Sequence, residues 1–132
     1  MLILIWRSDL SGASLKKCKL SGVNFKNATL RNVNFQKANL TNTIFHLSVL
    51  CGSDFRNANL KGADLRACDL SDCNFEGADL TGAIISGSNL QSANFKNANL
   101  KKVGLSSTVW ANVICPDGTI RNKNGYSCDG NL

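Results

Sequence analysis

The stretch Ala58-Asn59-Leu60-Lys61-Gly62-Ala63-Asp64-Leu65-Arg66-Ala67 decides the fold. It is one five-residue pattern written twice: a small residue, Asn or Asp, Leu, and then two small or polar residues. The register extends in both directions from here. Every multiple of five from Leu10 to Trp110 is large and apolar; of these twenty-one residues nineteen are Leu or Phe, and the others are Ile85 and Trp110. A step of five suits neither regular element. On an α-helix at about 100° per residue it turns each anchor by roughly 500°, so the anchors wander round the surface. On a straight strand five is odd, and successive anchors point to opposite faces. All anchors reach one core only if the chain turns a corner every five residues, as a solenoid wound from very short strands does.

The remaining positions agree. Two residues before each anchor the chain is small, with Ala13, Ala28, Ala38, Ala58, Ala63, Ala78, Ala83, Ala93 and Ala98, or Cys, Ser, Val or Thr elsewhere. Period-two alternation turns that residue and the anchor to the same side, so small and large side chains fill a narrow interior. The residue between them points outward and is usually Asp or Asn. Two residues after the anchor, twelve of the twenty positions from Gly12 to Ser107 are Gly or Asn, which best tolerate the positive φ of a type II turn.

Stretches such as Ala58-Asn59-Leu60-Lys61-Gly62, Ala63-Asp64-Leu65 and Ala78-Asp79-Leu80-Thr81-Gly82 resemble the A(D/N)LXX motif of pentapeptide repeat proteins, over residues 8 to 110. The resemblance implies an all-β fold, a right-handed quadrilateral parallel β-helix with roughly twenty residues per coil. About five coils, stacked at about 4.8 Å, give a rod about 25 Å tall. With the numbering folded modulo twenty, one face stacks Leu15, Phe35, Phe55, Phe75 and Phe95, and this continuous Phe ladder supports the same coil length independently. The expected division is a β-helix over 1–110, with 1–7 as a partial first coil or cap, followed by a capping loop over 111–132.

Charge is unevenly spread. The chain of 132 residues carries a formal net charge of +6. Residues 1–53 hold seven Lys or Arg and one Asp, with Lys16, Lys17 and Lys19 clustered; residues 54–95 hold three basic and six acidic groups; residues 96–132 hold five basic and two acidic. The rod is therefore basic at both ends around an acidic belt of Asp64, Asp69, Asp72, Glu76 and Asp79. No aromatic residues interleave the basic groups outside the core, which argues against single-strand nucleic-acid binding. The opening Met1-Leu2-Ile3-Leu4-Ile5-Trp6 is too short to span a membrane or to serve as an export signal's core, and Ile3 and Ile5 sit in the inward register. No membrane association is expected. The absence of a signal peptide points to the cytoplasm.

Of six cysteines, Cys18, Cys68 and Cys73 occupy the small inward position and are expected to be buried and inert, while Cys51 lies at an accessible corner. Cys115 and Cys128 bracket a loop containing the turn signals Pro116-Asp117-Gly118 and Asn124-Gly125. A disulfide across this loop is the favoured reading and would make an oxidising compartment reasonable; zinc is the rival, a poor one with two thiols and no nearby His. The tail also resembles the C-terminal caps of small cyanobacterial pentapeptide repeat proteins.

Nothing here composes a catalytic or cofactor site. His46, the only histidine, stands at a corner without a Ser-His-Asp or Cys-His constellation, and the glycines are spread one per corner rather than clustered as a phosphate loop. No cofactor or metal is expected, and the chain is read as not being an enzyme. The departures from the motif are Ile44 and Val49 at outward positions, Leu47 at a corner, and Ile84 in the same outward column as Ile44; together they form a candidate contact surface. The leading function is a non-catalytic structural or protein-interaction module, a monomer or weak dimer through an end of the solenoid, with a protein partner. Nucleic-acid binding through the basic ends is the alternative. The family also contains DNA mimics that inhibit type II topoisomerases, but such a rod must be strongly acidic, and this one is basic.

Overall fold

The computed structural model describes residues 5–121 and 128. The chain winds as a four-sided coil. Asp9 forms a parallel bridge with Thr29, Thr29 with Val49 and Val49 with Asp69, and the other three columns repeat the pattern through to Asn94 and Ile114. Residues directly above one another are thus twenty apart, as in the hydrogen bond from Ser21 Oγ to the Thr41 carbonyl. We name the faces by their inward anchors: face A carries Phe25, Phe45 and Leu65; face B, Leu30, Leu50 and Leu70; face C, Phe35, Phe55 and Phe75; face D, Leu40, Leu60 and Leu80. Two-residue corners join them in the order A, B, C, D.

The winding satisfies the backbone with very little strand. Each anchor N–H donates to the level above, as Leu10 does to the Thr29 carbonyl at 2.9 Å, and each outward residue donates below, as Thr29 does to the Ser8 carbonyl at 2.8 Å. Backbone polar groups inside a domain must be paired, and here neighbouring levels supply the partners. Every corner position from Arg7 to Asn112 has positive φ. The turn closes by a bond such as Ala13 N–H to the Leu10 carbonyl at 3.0 Å, which gives the expected type II geometry. Two corners differ. The Val33 amide donates instead to Ser53 Oγ at 3.0 Å, and that hydroxyl donates to the Leu30 carbonyl at 2.7 Å. Ser88 does the same between Cys68 and Leu65. A buried hydroxyl from the level above thereby replaces the direct turn bond, which accounts for Ser at inward positions that Ala otherwise fills.

The core is the column of anchors. Phe35, Phe55, Phe75 and Phe95 stack with centroids 4.9, 4.8 and 4.9 Å apart, and Phe25 stacks on Phe45 at 5.2 Å. Phe45 meets Phe55 edge-on at 6.1 Å, so the two ladders lock across the interior. Each fully buried anchor contributes about 1.5–3 kcal/mol, opposed by the entropy of ordering the chain. Leu10, Leu15 and Leu20 in the first level are only half-buried, because a described neighbour covers them from one side. The same geometry corrects the expectation for Cys18, which is half-buried rather than enclosed, whereas Cys68 and Cys73 are buried.

Past Trp110 the chain adds one more stretch over face C, where Ile114 bridges Asn94. β1 (Val113–Ile114) then folds back onto β2 (Ile120–Arg121) as an antiparallel pair. The reversal is closed by Gly118 N–H to the Cys115 carbonyl at 2.8 Å, with Gly118 at φ 83. Cys115 and Cys128, both fully buried, are joined by a disulfide with Cα atoms 5.6 Å apart. The turn expected at Asn124-Gly125 and the inward register of Ile3 lie outside the described residues.

Candidate functional site

The outward residue before each anchor has a specific task. Its side-chain oxygen accepts the backbone N–H two residues on, so it braces the corner that follows. Asn34 Oδ1 accepts from Gln36 N–H at 3.0 Å, Asn59 from Lys61 at 3.2 Å, Asp69 from Ser71 at 3.1 Å and Asn94 from Lys96 at 2.9 Å. This explains the recurrence of Asn and Asp there, which periodicity alone left as mere outward polarity.

Three positions away from the ends of the rod carry an aliphatic side chain that cannot make that bond. Ile44 and Ile84 on face A and Val49 on face B have no oxygen to offer His46, Ser86 or Cys51. Between Ile44 and Val49, at the corner joining faces A and B, stands Leu47 with φ 62 and 47% exposure. A branched aliphatic side chain is disfavoured in this left-handed region, where Asn or Gly costs least. The structure therefore brings Ile44, Leu47 and Val49 together in one level along one edge. Ile84 lies two levels above Ile44, with Asp64 bridged between them, and is 42% exposed.

Two further residues belong to this edge. Trp6 and Val109 are 51% and 57% exposed and lie at the same A–B corner and on face B. Val109 shares its column with Val49, a relation visible by folding the numbering modulo twenty. Trp6 is held by the Arg7 guanidinium, 4.7 Å over its ring. Faces C and D show the reverse character, with Asn34, Asp54, Asn74 and Asn94 on one and Asn39, Asn59, Asp79 and Asn99 on the other.

A charged level separates Leu47 from Ile84. Arg66 Nη2 lies 2.7 Å from Asp64 Oδ2 and its Nε 2.8 Å from Oδ1, a two-point pairing. The Arg66 donors hold the Asp64 carboxyl below its ordinary range, against the opposing effect of partial burial. At Asp54 on face C, burial opposes ionisation, but Arg56 and Gln36 donate to the carboxylate and lower its pKa. Along the A–B edge apolar levels thus alternate with a charged one, the apolar levels about 9.6 Å apart at about 4.8 Å per level.

The thiols differ in environment. Burial pushes the Cys68 thiol up to about 11 and raises that of Cys73 further. Cys51 is half-exposed at the B–C corner with the Arg31 Nη1 donor 2.8 Å from its sulfur. Among the described residues no group of His, Cys, Asp and Glu is arranged to hold a metal ion, and no helix is long and apolar enough to cross a membrane.

A family profile described as pentapeptide repeats matches eight copies over residues 8–46, 48–72 and 73–108. A pentapeptide repeat protein from the Arabidopsis thaliana thylakoid lumen is 32% identical, with a TM-score of 0.73 over 74% of this chain and 68% of that one. The pentapeptide repeat protein Rfr23 from the cyanobacterium Cyanothece 51142 superposes with a TM-score of 0.75 at 22% identity, covering 79% and 84%. QnrB1, a plasmid-mediated fluoroquinolone resistance protein, gives 0.62 at 19% identity over 82% and 72%. A search of curated protein sequences returned no match. The profile covers most of the chain, and the four-sided winding agrees with it: the chain is a member of the pentapeptide repeat family, folded as its right-handed quadrilateral β-helix.

Proposed function

We propose that this rod is a non-catalytic protein-interaction module that docks an apolar segment of a protein partner along the edge between faces A and B. One observation carries the reading. Ile44, Val49 and Ile84 each displace a residue that would brace its corner, and Leu47 occupies a backbone conformation hostile to it, all on the same edge. Each forgone turn bond is worth about 0.5–1.5 kcal/mol, and the left-handed leucine costs about 1–2 kcal/mol. Aliphatic side chains in place of three corner braces, gathered on one edge around an exposed leucine, fit a contact surface. In this reading residues 1–110 form the docking rod, residues 111–132 close its end, and the Cys115–Cys128 disulfide suits an oxidising compartment.

The test compares wild type with Ile44→Asp plus Val49→Asp in pull-downs from native lysate. Asp occupies the same outward position at Asp54, Asp64 and Asp69 and braces its corner there, so the fold should survive, as a far-UV spectrum and melting curve would verify. Loss of a wild-type partner in the folded variant is expected. Recovery of the same proteins by both would remove this edge from consideration.

A further inference from the structure

The corner between faces C and D, diagonally across the rod from the apolar edge, concentrates unpaired positive charge. Lys16 and Lys17 stand at this corner in the first level, Lys19 beside them on face D, and Lys37 directly above Lys17; all four are exposed. The stacking is fixed by Lys17 N–H donating to the Gln36 carbonyl at 2.8 Å. Lys17 and Lys37 take the positive-φ position, at φ 60 and 57, where Gly or Asn would be relaxed. The backbones of two like-charged residues are therefore stacked about 4.8 Å apart, in a conformation lysine does not favour. Among the described residues none of the four makes an ion pair; those that form are Arg56–Asp54, Lys61–Asp79 and Arg66–Asp64, all at higher levels. Asp54, one level above Lys37 on face C, is already engaged by Arg56 and by Gln36 Nε2 at 2.6 Å.

We propose that Lys16, Lys17, Lys19 and Lys37 form a docking site for a short acidic stretch of a protein partner, lying along the C–D corner. Length selects the partner. The cationic patch covers two levels, because Arg56 is neutralised in the third and Glu76 and Asp79 bring negative charge in the fourth. Two levels span about 5–10 Å with the lysine side chains extended, which matches three or four residues of an extended peptide at about 3.3 Å each. A nucleic-acid strand needs a longer track and stacking platforms, and the exposed aromatic Trp6 lies at the A–B corner, diagonally across the rod from these lysines. The site extends the reading of the chain as a protein-interaction module but uses a different edge, so failure of the Ile44 and Val49 variants leaves it standing.

Fluorescence anisotropy with labelled octaglutamate, at low and moderate salt, tests the site on the full chain. A labelled oligothymidylate strand of equal charge is run beside it. Lys17→Glu plus Lys37→Glu should weaken octaglutamate binding about tenfold or more, from lost and reversed ion pairs. Lys101→Glu plus Lys102→Glu makes the same charge change at the D–A corner, where Lys102 also has positive φ, and should stay within about threefold of wild type. Equal losses in the two variants would reduce the effect to net charge and overturn the site. So would absence of octaglutamate binding at low salt, or tighter binding of the oligothymidylate with the same lysine dependence, which would make the patch a nucleic-acid site.

Discussion

Removing the Cys115–Cys128 disulfide tests how the rod is closed at its upper end. The two residues are 13 apart in sequence, and the bond limits how far the unfolded tail can spread. Chain-entropy reasoning for a loop of this size gives about 3 kcal/mol. With an unfolding entropy of about 2.1 cal/mol/K per residue, the 132-residue chain should lose about 11 °C in Tm. The perturbation is Cys115→Ser plus Cys128→Ser, with reduction of the wild type as a second route to the same state. Thiol counting in denaturant should find Cys18, Cys51, Cys68 and Cys73 free before reduction and all six afterwards. Hydrogen exchange locates the damage. Ser92, Phe95 and Asn97 donate to the carbonyls of Ala111, Ile114 and Pro116, so these amides should lose protection first, while Leu60 and Leu65, bonded to Asp79 and Ile84, keep theirs. A Tm change under about 2 °C with unaltered exchange at 92, 95 and 97 would refute the idea that the bond holds the closing segment in place.

Two further outcomes follow from the core and the carboxylates. Phe55 stacks on both Phe35 and Phe75, whereas Phe95 stacks on Phe75 alone, so Phe55→Ala should cost about 3–5 kcal/mol in urea unfolding and more than Phe95→Ala; equal costs would deny the ladder any energetic weight. Asp54 and Asp64 have pKa values lowered on folding, so their stabilisation is present above about pH 4 and disappears as pH falls through the depressed folded values. Asn keeps the corner-bracing oxygen but not the charge. The stability gap between wild type and Asp54→Asn plus Asp64→Asn, measured by urea midpoint, should therefore be open near pH 6 and narrow steadily as the pH is taken below about 4; a gap independent of pH would contradict the assignment.

The architecture was legible because the five-residue register leaves little choice. Leu60 and Leu65 cannot share a core unless the chain turns between them, and the Phe35–Phe95 ladder follows from stacking identical residues twenty apart. What a one-dimensional pattern concealed was the division of labour at the outward position. Asn59 looks like a generic polar residue until its Oδ1 is seen bonded to the Lys61 amide, and only then does Ile44 become a missing brace rather than a stray aliphatic. Cys18 was misjudged because register says which way a side chain points but not whether a further level lies beyond it. Trp6 reads from sequence as part of the opening apolar run, and for a related reason its exposure at the A–B corner was not legible there: register does not say whether a corner side chain is covered.

The parallel bridges between residues twenty apart make the outer surface behave like a four-position dial. Loss or gain of a whole twenty-residue level only shortens or lengthens the rod, with every column kept. Loss of a single five-residue unit is different. The interior would still receive an anchor at every step, so folding would survive, but each later residue would move one face round. A deletion between Leu50 and Leu80 would carry Ile84 off the face that holds Ile44 and leave the apolar edge in two unrelated pieces. Core and surface thus record different histories: the core tolerates insertions and deletions in steps of five, while a functional edge admits them only in steps of twenty.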